Sequence, residues 1–230
     1  YPGRIDLGLG RAPGTDQQTL GRALRRDPRS AENFPQDVQE LQAWLSNESP
    51  LPGVTAVPGF NTNVPLIILG SSMFGATLAA KLGLPYAFAS HFAPQHLEEA
   101  TAYYREHYQP SARHPEPYCI AAVNVTAADT EEDAKRQTQV VHRNRVRAFM
   151  GQQGKVLSDD QVDTVLNSFQ GRQITDMLRY TAEGTGEQVA EYLERFRATA
   201  QADELMISLQ SGSHEETARS MAILAEVWNS

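Results

Sequence analysis

Short apolar runs alternate along the chain with longer segments whose apolar residues recur at helical spacing. The runs lie at residues 4–10, 65–69, 86–89, 117–128 and 203–209. Their length and continuity favour strands that are buried in a sheet. Helical spacing is found at residues 34–45, 73–82, 94–108, 129–150 and 159–169, after Thr185, and at 214–228. This alternation indicates a parallel sheet, either doubly wound with five strands or the later part of an eight-stranded barrel.

Other segments have weaker patterns. Residues 54–57 favour a short strand, residues 19–26 a short helix, and residues 181–187 a turn. In the last helix, five positions are spaced for inward packing: Ala218, Met221, Leu224, Ala225 and Trp228.

Residues 64–90 have the clearest boundaries between predicted elements. The run Pro65–Leu69 is broken by Gly70-Ser71-Ser72, and a helical pattern begins at Met73. Gly83 is placed to end this helix, and Tyr86–Ala89 is a second buried run. The connections are short, so we predict a β-α-β unit with parallel strands and a right-handed crossover.

The first turn of that unit carries candidate chemistry. Ser71 or Ser72 is placed to cap the helix, and Gly75 leaves the backbone open to close approach. Hydroxyls, unbonded N–H groups and the positive end of the helix dipole together favour an anion. The alternative is a capped helix that binds nothing.

Two more side chains follow predicted strands on the side where α/β folds bind ligands. Arg11 comes directly after the strand at 4–10, and His91 comes after the strand at 86–89. Arg11 has a surface salt bridge as its alternative role. His91 has a hydrogen bond at a helix terminus as its alternative.

Composition narrows the class of protein. The net charge is −8 and no basic stripe is present, which argues against nucleic acid and anionic membrane as partners. No apolar run approaches the roughly 18 residues of a membrane-spanning helix. A single cysteine, Cys119, excludes an internal disulfide and a cysteine-rich metal site, so we expect a reducing, cytoplasmic setting. The chain starts without Met, and we expect it to be the downstream part of a longer protein.

Familiar catalytic motifs are missing from the sequence. It contains no GxGxxG, Walker, HExxH or GxSxG pattern, no metal-binding cluster and no internal repeat. The residues by themselves therefore predict an α/β protein with an anion site.

Four phrases, in order, resemble the bacterial luciferase-like flavin monooxygenases, in particular their alkanal-monooxygenase-like branch. They are YPGRIDLGLGRAPGTD at 1–16, PLIILGSSMFGATLAAKLGLPYAFASHFAP at 65–94, NVTAADTEEDA at 124–134 and GTGEQVAEYL at 184–193. The last differs from the usual family pattern at Gly186, where proline is common. The resemblance spans nearly the whole chain.

The resemblance implies a TIM (β/α)8 barrel. On that pattern the five predicted strands match barrel strands 4 to 8, and the first three strands would be absent from this chain. Residues 1–230 would then form a single barrel domain, with an insertion region at about 150–180.

The resemblance also implies a site for FMN. Its phosphate would be bound by Arg11, Ser71, Ser72 and Gly75, with a second arginine drawn from Arg22, Arg25 and Arg29. Reduced FMN, supplied by a separate flavin reductase, would react with O2 and a small organic substrate, and His91 would lie near the reacting groups as the candidate catalytic residue. A homodimer is the usual assembly.

Two departures limit how far the resemblance extends. Luciferases proper carry cysteine at the position of Gly10, and a histidine important to them falls outside this chain. Light emission and an aldehyde substrate therefore do not follow. Two alternatives stay open: a non-catalytic flavin- or phosphate-binding barrel, and a deazaflavin-dependent relative that transfers hydride.

Overall fold

The computed structural model describes residue 1 and residues 3–11, 31–151 and 157–228. These residues divide into two compact units. The first unit contains residues 1–87 and 102–118, and the second contains residues 88–101 and 119–230. The strands are β1 (Leu7–Gly10), β2 (Leu66–Gly70), β3 (Tyr86–Phe88), β4 (Cys119–Ala127), β5 (Thr181–Gly184) and β6 (Glu204–Leu209).

The helices follow the strands in chain order. They are α1 (Phe34–Leu45), α2 (Met73–Leu82), α3 (Leu97–Glu106), α4 (Glu131–Gly151), α5 (Asp159–Leu166), α6 (Phe169–Asp176), α7 (Gly186–Thr199) and α8 (His214–Trp228). None of the helices in the described ranges has the length and apolar character needed to cross a bilayer.

In the first unit, β1 and β2 pair in parallel. Their register places Leu7 opposite Leu66 and Gly10 opposite Leu69. Leu66 and Ile68 are buried, whereas Leu69 is 43% exposed. Strand β2 therefore buries one face more fully than the other, although the continuous apolar run predicted burial of both faces. Strand β3 is the next neighbour of β2.

Helix α2 connects β2 to β3 as the sequence predicted. It ends at Gly83, whose φ of 61° lies in the left-handed region that favours glycine. The N–H of Gly83 donates to the carbonyls of Ala79 and Ala80, which closes the last turn. The β-α-β unit at residues 64–90 is thus present, with β2 shifted by one residue from the predicted run at 65–69 and β3 ending one residue before the predicted Ala89.

The second unit is organised around β4, all nine residues of which are buried. Residues 124–127 pair in parallel with β5, and residues 120–125 pair in parallel with β6. Cys119 is fully buried and packs as a small apolar side chain. The parallel α/β class predicted from the alternation of strands and helices is therefore confirmed.

Several predicted elements differ in the structure. Residues 181–184 form β5 rather than a turn, because their backbone pairs with β4 although their side chains are largely polar or small. Residues 54–57 form no strand, and α3 begins at Leu97 rather than Pro94. The helix predicted at 159–169 is interrupted at Asn167, and Ser168 caps a new helix by accepting a hydrogen bond from the N–H of Gly171. The short helix predicted at 19–26 lies outside the described residues.

Helix α8 packs through a different face than predicted. Ser220 and Ile223 are buried, and the Ser220 hydroxyl accepts a hydrogen bond from the N–H of Ala127 at 2.9 Å. Met221 is 58% exposed and Trp228 is 51% exposed. Both of these side chains line an open groove of about 470 Å³ beside Leu205. The buried face includes the polar Ser220, so the periodicity of apolar residues alone pointed to the neighbouring face.

Helices α4, α5 and α6 share a small apolar cluster formed by Val146, Val162 and Ile174. At the surface, Arg143 on α4 makes a two-point ion pair with Asp163 on α5, with N–O distances of 2.8 and 2.7 Å. The predicted insertion at about 150–180 and the single-domain description stay predictions.

Candidate functional site

The first unit brings Arg11 onto the first turn of α2. Arg11 follows the last residue of β1, and its guanidinium carbon lies 3.8 Å from the centre of the Phe74 ring. Phe74 is the second residue of α2, and α2 follows β2, the parallel neighbour of β1. Two strand ends that are 60 positions apart in the numbering therefore place a cation against a helix N-terminus.

The start of α2 has three features that favour a negative ligand. Ser72 is the N-cap residue, with extended backbone angles of −152° and 167°, and its side chain makes no capping hydrogen bond. The first N–H groups of a helix have no partner within the helix and carry a partial positive charge. No acidic residue lies in the first turn of α2, so no carboxylate on this helix competes for those groups.

Gly75 has a packing role that the sequence did not indicate. A Cβ atom at this position would lie 3.0 Å from Cε2 of Tyr86 and 3.5 Å from Cα of Gly70. The space that a side chain would occupy is therefore filled by the Tyr86 ring and the end of β2. The group that Gly75 offers to a ligand is its backbone N–H.

Tyr86 fixes the other side of the turn. It is fully buried, and its hydroxyl donates to the carbonyl oxygen of Ser72 at 3.2 Å. Sequence reasoning placed Tyr86 in a strand and Phe74 in a helix but gave neither a part in the site. The spacing of Phe74 after the Gly-Ser-Ser break was the available signal, since the second residue of the helix lies beside its free N–H groups.

His91 belongs to the second unit. Its carbonyl oxygen accepts a hydrogen bond of 2.7 Å from Nδ2 of Asn124 on β4, and its ring meets Phe92 edge-on with centroids 4.7 Å apart. Burial, with a smaller contribution from the positive charge of Arg145, lowers the pKa of His91 below its usual value. The imidazole is therefore neutral near pH 7.

The structure thus describes the predicted site residues in two groups. Arg11, Ser71, Ser72 and Gly75 lie in the first unit, and His91 lies in the second. The three candidates for a second arginine, Arg22, Arg25 and Arg29, lie outside the described residues.

Comparison with known protein families gives a match over almost the whole chain. The sequence model of the luciferase-like monooxygenase family matches residues 1–226. The chain belongs to this family. Its resemblance to the bacterial luciferase-like proteins, first seen in four phrases, is confirmed.

Two curated relatives show how much of a family member the chain represents. A luciferase-like monooxygenase of Escherichia coli is 38% identical over 228 residues, which cover 99% of this chain and 68% of the relative. An uncharacterized protein of Bacillus subtilis, YvbT, is 40% identical over 230 residues and is likewise covered to 68%.

Solved structures support the same placement. Apo-MsnO8 matches with a TM-score of 0.82 and 30% identity, covering all of this chain and 70% of that one. The oxygenating constituent of 3,6-diketocamphane monooxygenase from Pseudomonas putida, solved in complex with FMN, matches with a TM-score of 0.55. At 13% identity and with 90% of this chain and 65% of that one covered, the second match shows a common fold only.

Proposed function

We propose that the chain carries the phosphate-binding part of an FMN-dependent monooxygenase, which uses reduced FMN and O2 to oxidise a small organic substrate. Membership of the luciferase-like monooxygenase family supports the reaction class. The stacking of Arg11 on Phe74 at the N-terminus of α2 is the observation that carries the cofactor assignment.

The donor set suits a phosphate monoester. A guanidinium stacked on an aromatic ring keeps its N–H donors in the guanidinium plane, where they are available to phosphate oxygens. The first-turn N–H groups of α2, with that of Gly75 among them, add donors and a favourable dipole. The Ser71 and Ser72 hydroxyls would complete the set.

The remaining residues have supporting roles. Tyr86 holds the Ser72 carbonyl, which keeps the first turn of α2 open toward the ligand. In the second unit, neutral His91 is the proposed catalytic residue, since a neutral imidazole has one unprotonated nitrogen that can accept a proton. When bound, reduced FMN supplies the electrons for oxygen chemistry.

We also propose that the five strands predicted from the sequence, which are β1, β2, β3, β4 and β6, correspond to strands 4 to 8 of a barrel whose first three strands lie outside this chain. The curated relatives are covered to only 68%. At β6, Met206 is 56% exposed and the groove against α8 is open. Amide hydrogen exchange along β6 tests this: fast exchange at alternate positions marks an open strand edge, and uniformly slow exchange contradicts it.

Flavin titration of the full chain tests the cofactor assignment. FMN and riboflavin differ by the phosphate alone, so we expect FMN to bind more tightly. Arg11→Ala should weaken FMN binding by about tenfold or more, since charge-assisted hydrogen bonds are lost, and leave riboflavin binding unchanged. Arg4→Ala is the matched control, because Arg4 also lies over an aromatic ring, that of Tyr1, but precedes β1.

Each outcome of this titration decides between readings. Equal affinity for FMN and riboflavin contradicts the phosphate site. Phosphate-dependent binding without substrate oxidation, and with oxygen consumption no faster than that of free reduced FMN, favours a non-catalytic flavin-binding protein. Preference for a deazaflavin favours the hydride-transfer alternative. A homodimer, a partner flavin reductase and a cytoplasmic location stay predictions.

A further inference from the structure

The loop after β3 is held against β4 by two polar side chains in the second unit. The Ser90 hydroxyl, which is fully buried, donates to the carbonyl of Ala122. Nδ2 of Asn124 donates to the carbonyl of His91. The backbone of His91 is therefore fixed before any ligand binds, which is a mark of a preorganised functional residue.

The orientation of the Asn124 amide follows from that second bond. Only the NH2 group of a carboxamide donates, so the group that faces the His91 carbonyl is Nδ2 and the group that faces away is Oδ1. Asn124 is fully buried, and Oδ1 has no hydrogen-bond partner among the described residues. A buried acceptor without a donor is costly and uncommon.

A complementary atom lies on the residue that Asn124 binds. Nδ1 of His91 is also buried and also has no partner in the described part of the chain. The imidazole is neutral, so exactly one of its nitrogens carries a hydrogen. If that nitrogen is Nδ1, the donor that Asn124 requires is supplied by the residue it already holds.

We propose that Asn124 is a positioning residue for His91. Its Nδ2 fixes the loop backbone, and rotation of the imidazole brings Nδ1–H onto its Oδ1. His91 is thereby held in the tautomer with hydrogen on Nδ1, and Nε2 keeps the lone pair that accepts a proton or a hydrogen bond. Whether this tautomer serves catalysis depends on the role proposed for His91. The assignment of the tautomer itself does not depend on that role.

Long-range proton–nitrogen NMR of the ¹⁵N-labelled chain tests the inference without any flavin. Protonated and unprotonated imidazole nitrogens resonate far apart, and His91→Gln identifies the signals of His91 among the six histidines. We expect Nδ1 to carry the hydrogen in the unaltered chain. Hydrogen on Nε2 in that chain overturns the proposal, whatever any variant does.

Two variants separate positioning from general support of the fold. Asn124→Leu, which has neither the donor nor the acceptor, should move the hydrogen to Nε2. Thr126→Val removes another buried polar group from β4, one that donates to the Gln210 carbonyl at 3.0 Å, and should leave His91 unchanged. An unchanged tautomer in folded Asn124→Leu, or the same change in Thr126→Val, overturns the proposal. Failure of flavin binding in the earlier titration leaves these outcomes untouched.

Discussion

The hydroxyl of Tyr86 donates a hydrogen bond of 3.2 Å to the carbonyl oxygen of Ser72, the residue that begins α2. We expect Tyr86→Phe to lower the free energy of unfolding by about 0.5–1.5 kcal/mol, as is usual for one partly buried hydrogen bond. Denaturant unfolding measures the change. Tyr1→Phe, at a tyrosine that is 87% exposed, is the control and should be neutral. Equal effects of the two variants contradict the structural role of Tyr86.

Gly75→Ala should destabilise the chain although alanine is the better helix former. The added Cβ would lie 3.0 Å from the Tyr86 ring, and overpacking of this kind costs about 1–3 kcal/mol. Thr77→Ala, at an exposed position of the same helix, should be neutral or slightly stabilising. Stabilisation by Gly75→Ala would show that the ring moves aside freely. Combining it with Tyr86→Leu should recover part of the loss.

Helix α8 offers a contrast between neighbouring apolar positions. Ile223 is 5% exposed and Met221 is 58% exposed. We expect Ile223→Ala to cost about 2–5 kcal/mol and Met221→Ala to change stability by less than about 0.5 kcal/mol. Thermal and denaturant unfolding measure both. A large loss from Met221→Ala would mean that the groove beside β6 is covered in solution.

The ion pair between Arg143 and Asp163 should make stability depend on acid pH. Hydrogen bonding from Arg143 lowers the pKa of Asp163. A carboxylate with a depressed pKa stabilises the folded state above its unfolded pKa of about 3.9, and this contribution is lost as pH falls through the lower folded value. Arg143→Met should therefore lower Tm at pH 7 and flatten its decline toward pH 3. Arg195→Met, which removes an exposed ion pair within α7, should do less.

His142 should also make stability depend on pH, in this case because a buried histidine resists taking up a proton. Burial lowers the pKa of His142, and the negative charge of Glu183 offsets part of that change. The unfolded chain takes up a proton near pH 6.5 while the folded chain resists it, so stability should fall as pH drops below about 6.5. His142→Gln should reduce the fall, and His96→Gln, at an exposed position, serves as control. Identical pH profiles of Tm for His142→Gln and the unaltered chain contradict this.

Elements with strong local signals were predicted well from the sequence. The unit at residues 64–90 was delimited by glycine and proline, whose backbone requirements are local, as the left-handed Gly83 shows. The continuous apolar run at 117–128 predicted β4, which is buried throughout. Strand β5 was missed because four residues with Glu183 and Gly184 among them become a strand through pairing with β4, and pairing is not a local property.

The sequence pointed to individual residues of the candidate site but not to the contacts between them. Position after a strand pointed to Arg11 and His91, since parallel strands end on one edge. The sequence did not show that Phe74 lies under Arg11 or that Gly75 makes room for Tyr86, because both relations join residues brought together only by folding. The role of Asn124 was missed for a similar reason. The sequence shows a polar residue inside an apolar strand, but its hydrogen bond to the His91 carbonyl is formed only by folding.

The stacking of Arg11 on Phe74 determines how the cation responds to salt. A carboxylate partner would cancel the charge of the guanidinium and release it as ionic strength rises, whereas an aromatic face holds the cation by its quadrupole and cancels none of the charge. The resting position of Arg11 should thus be insensitive to salt, while its attraction for an anion should weaken as salt is added. The attachment of Arg11 to Phe74 and its affinity for an anion should therefore respond differently to salt.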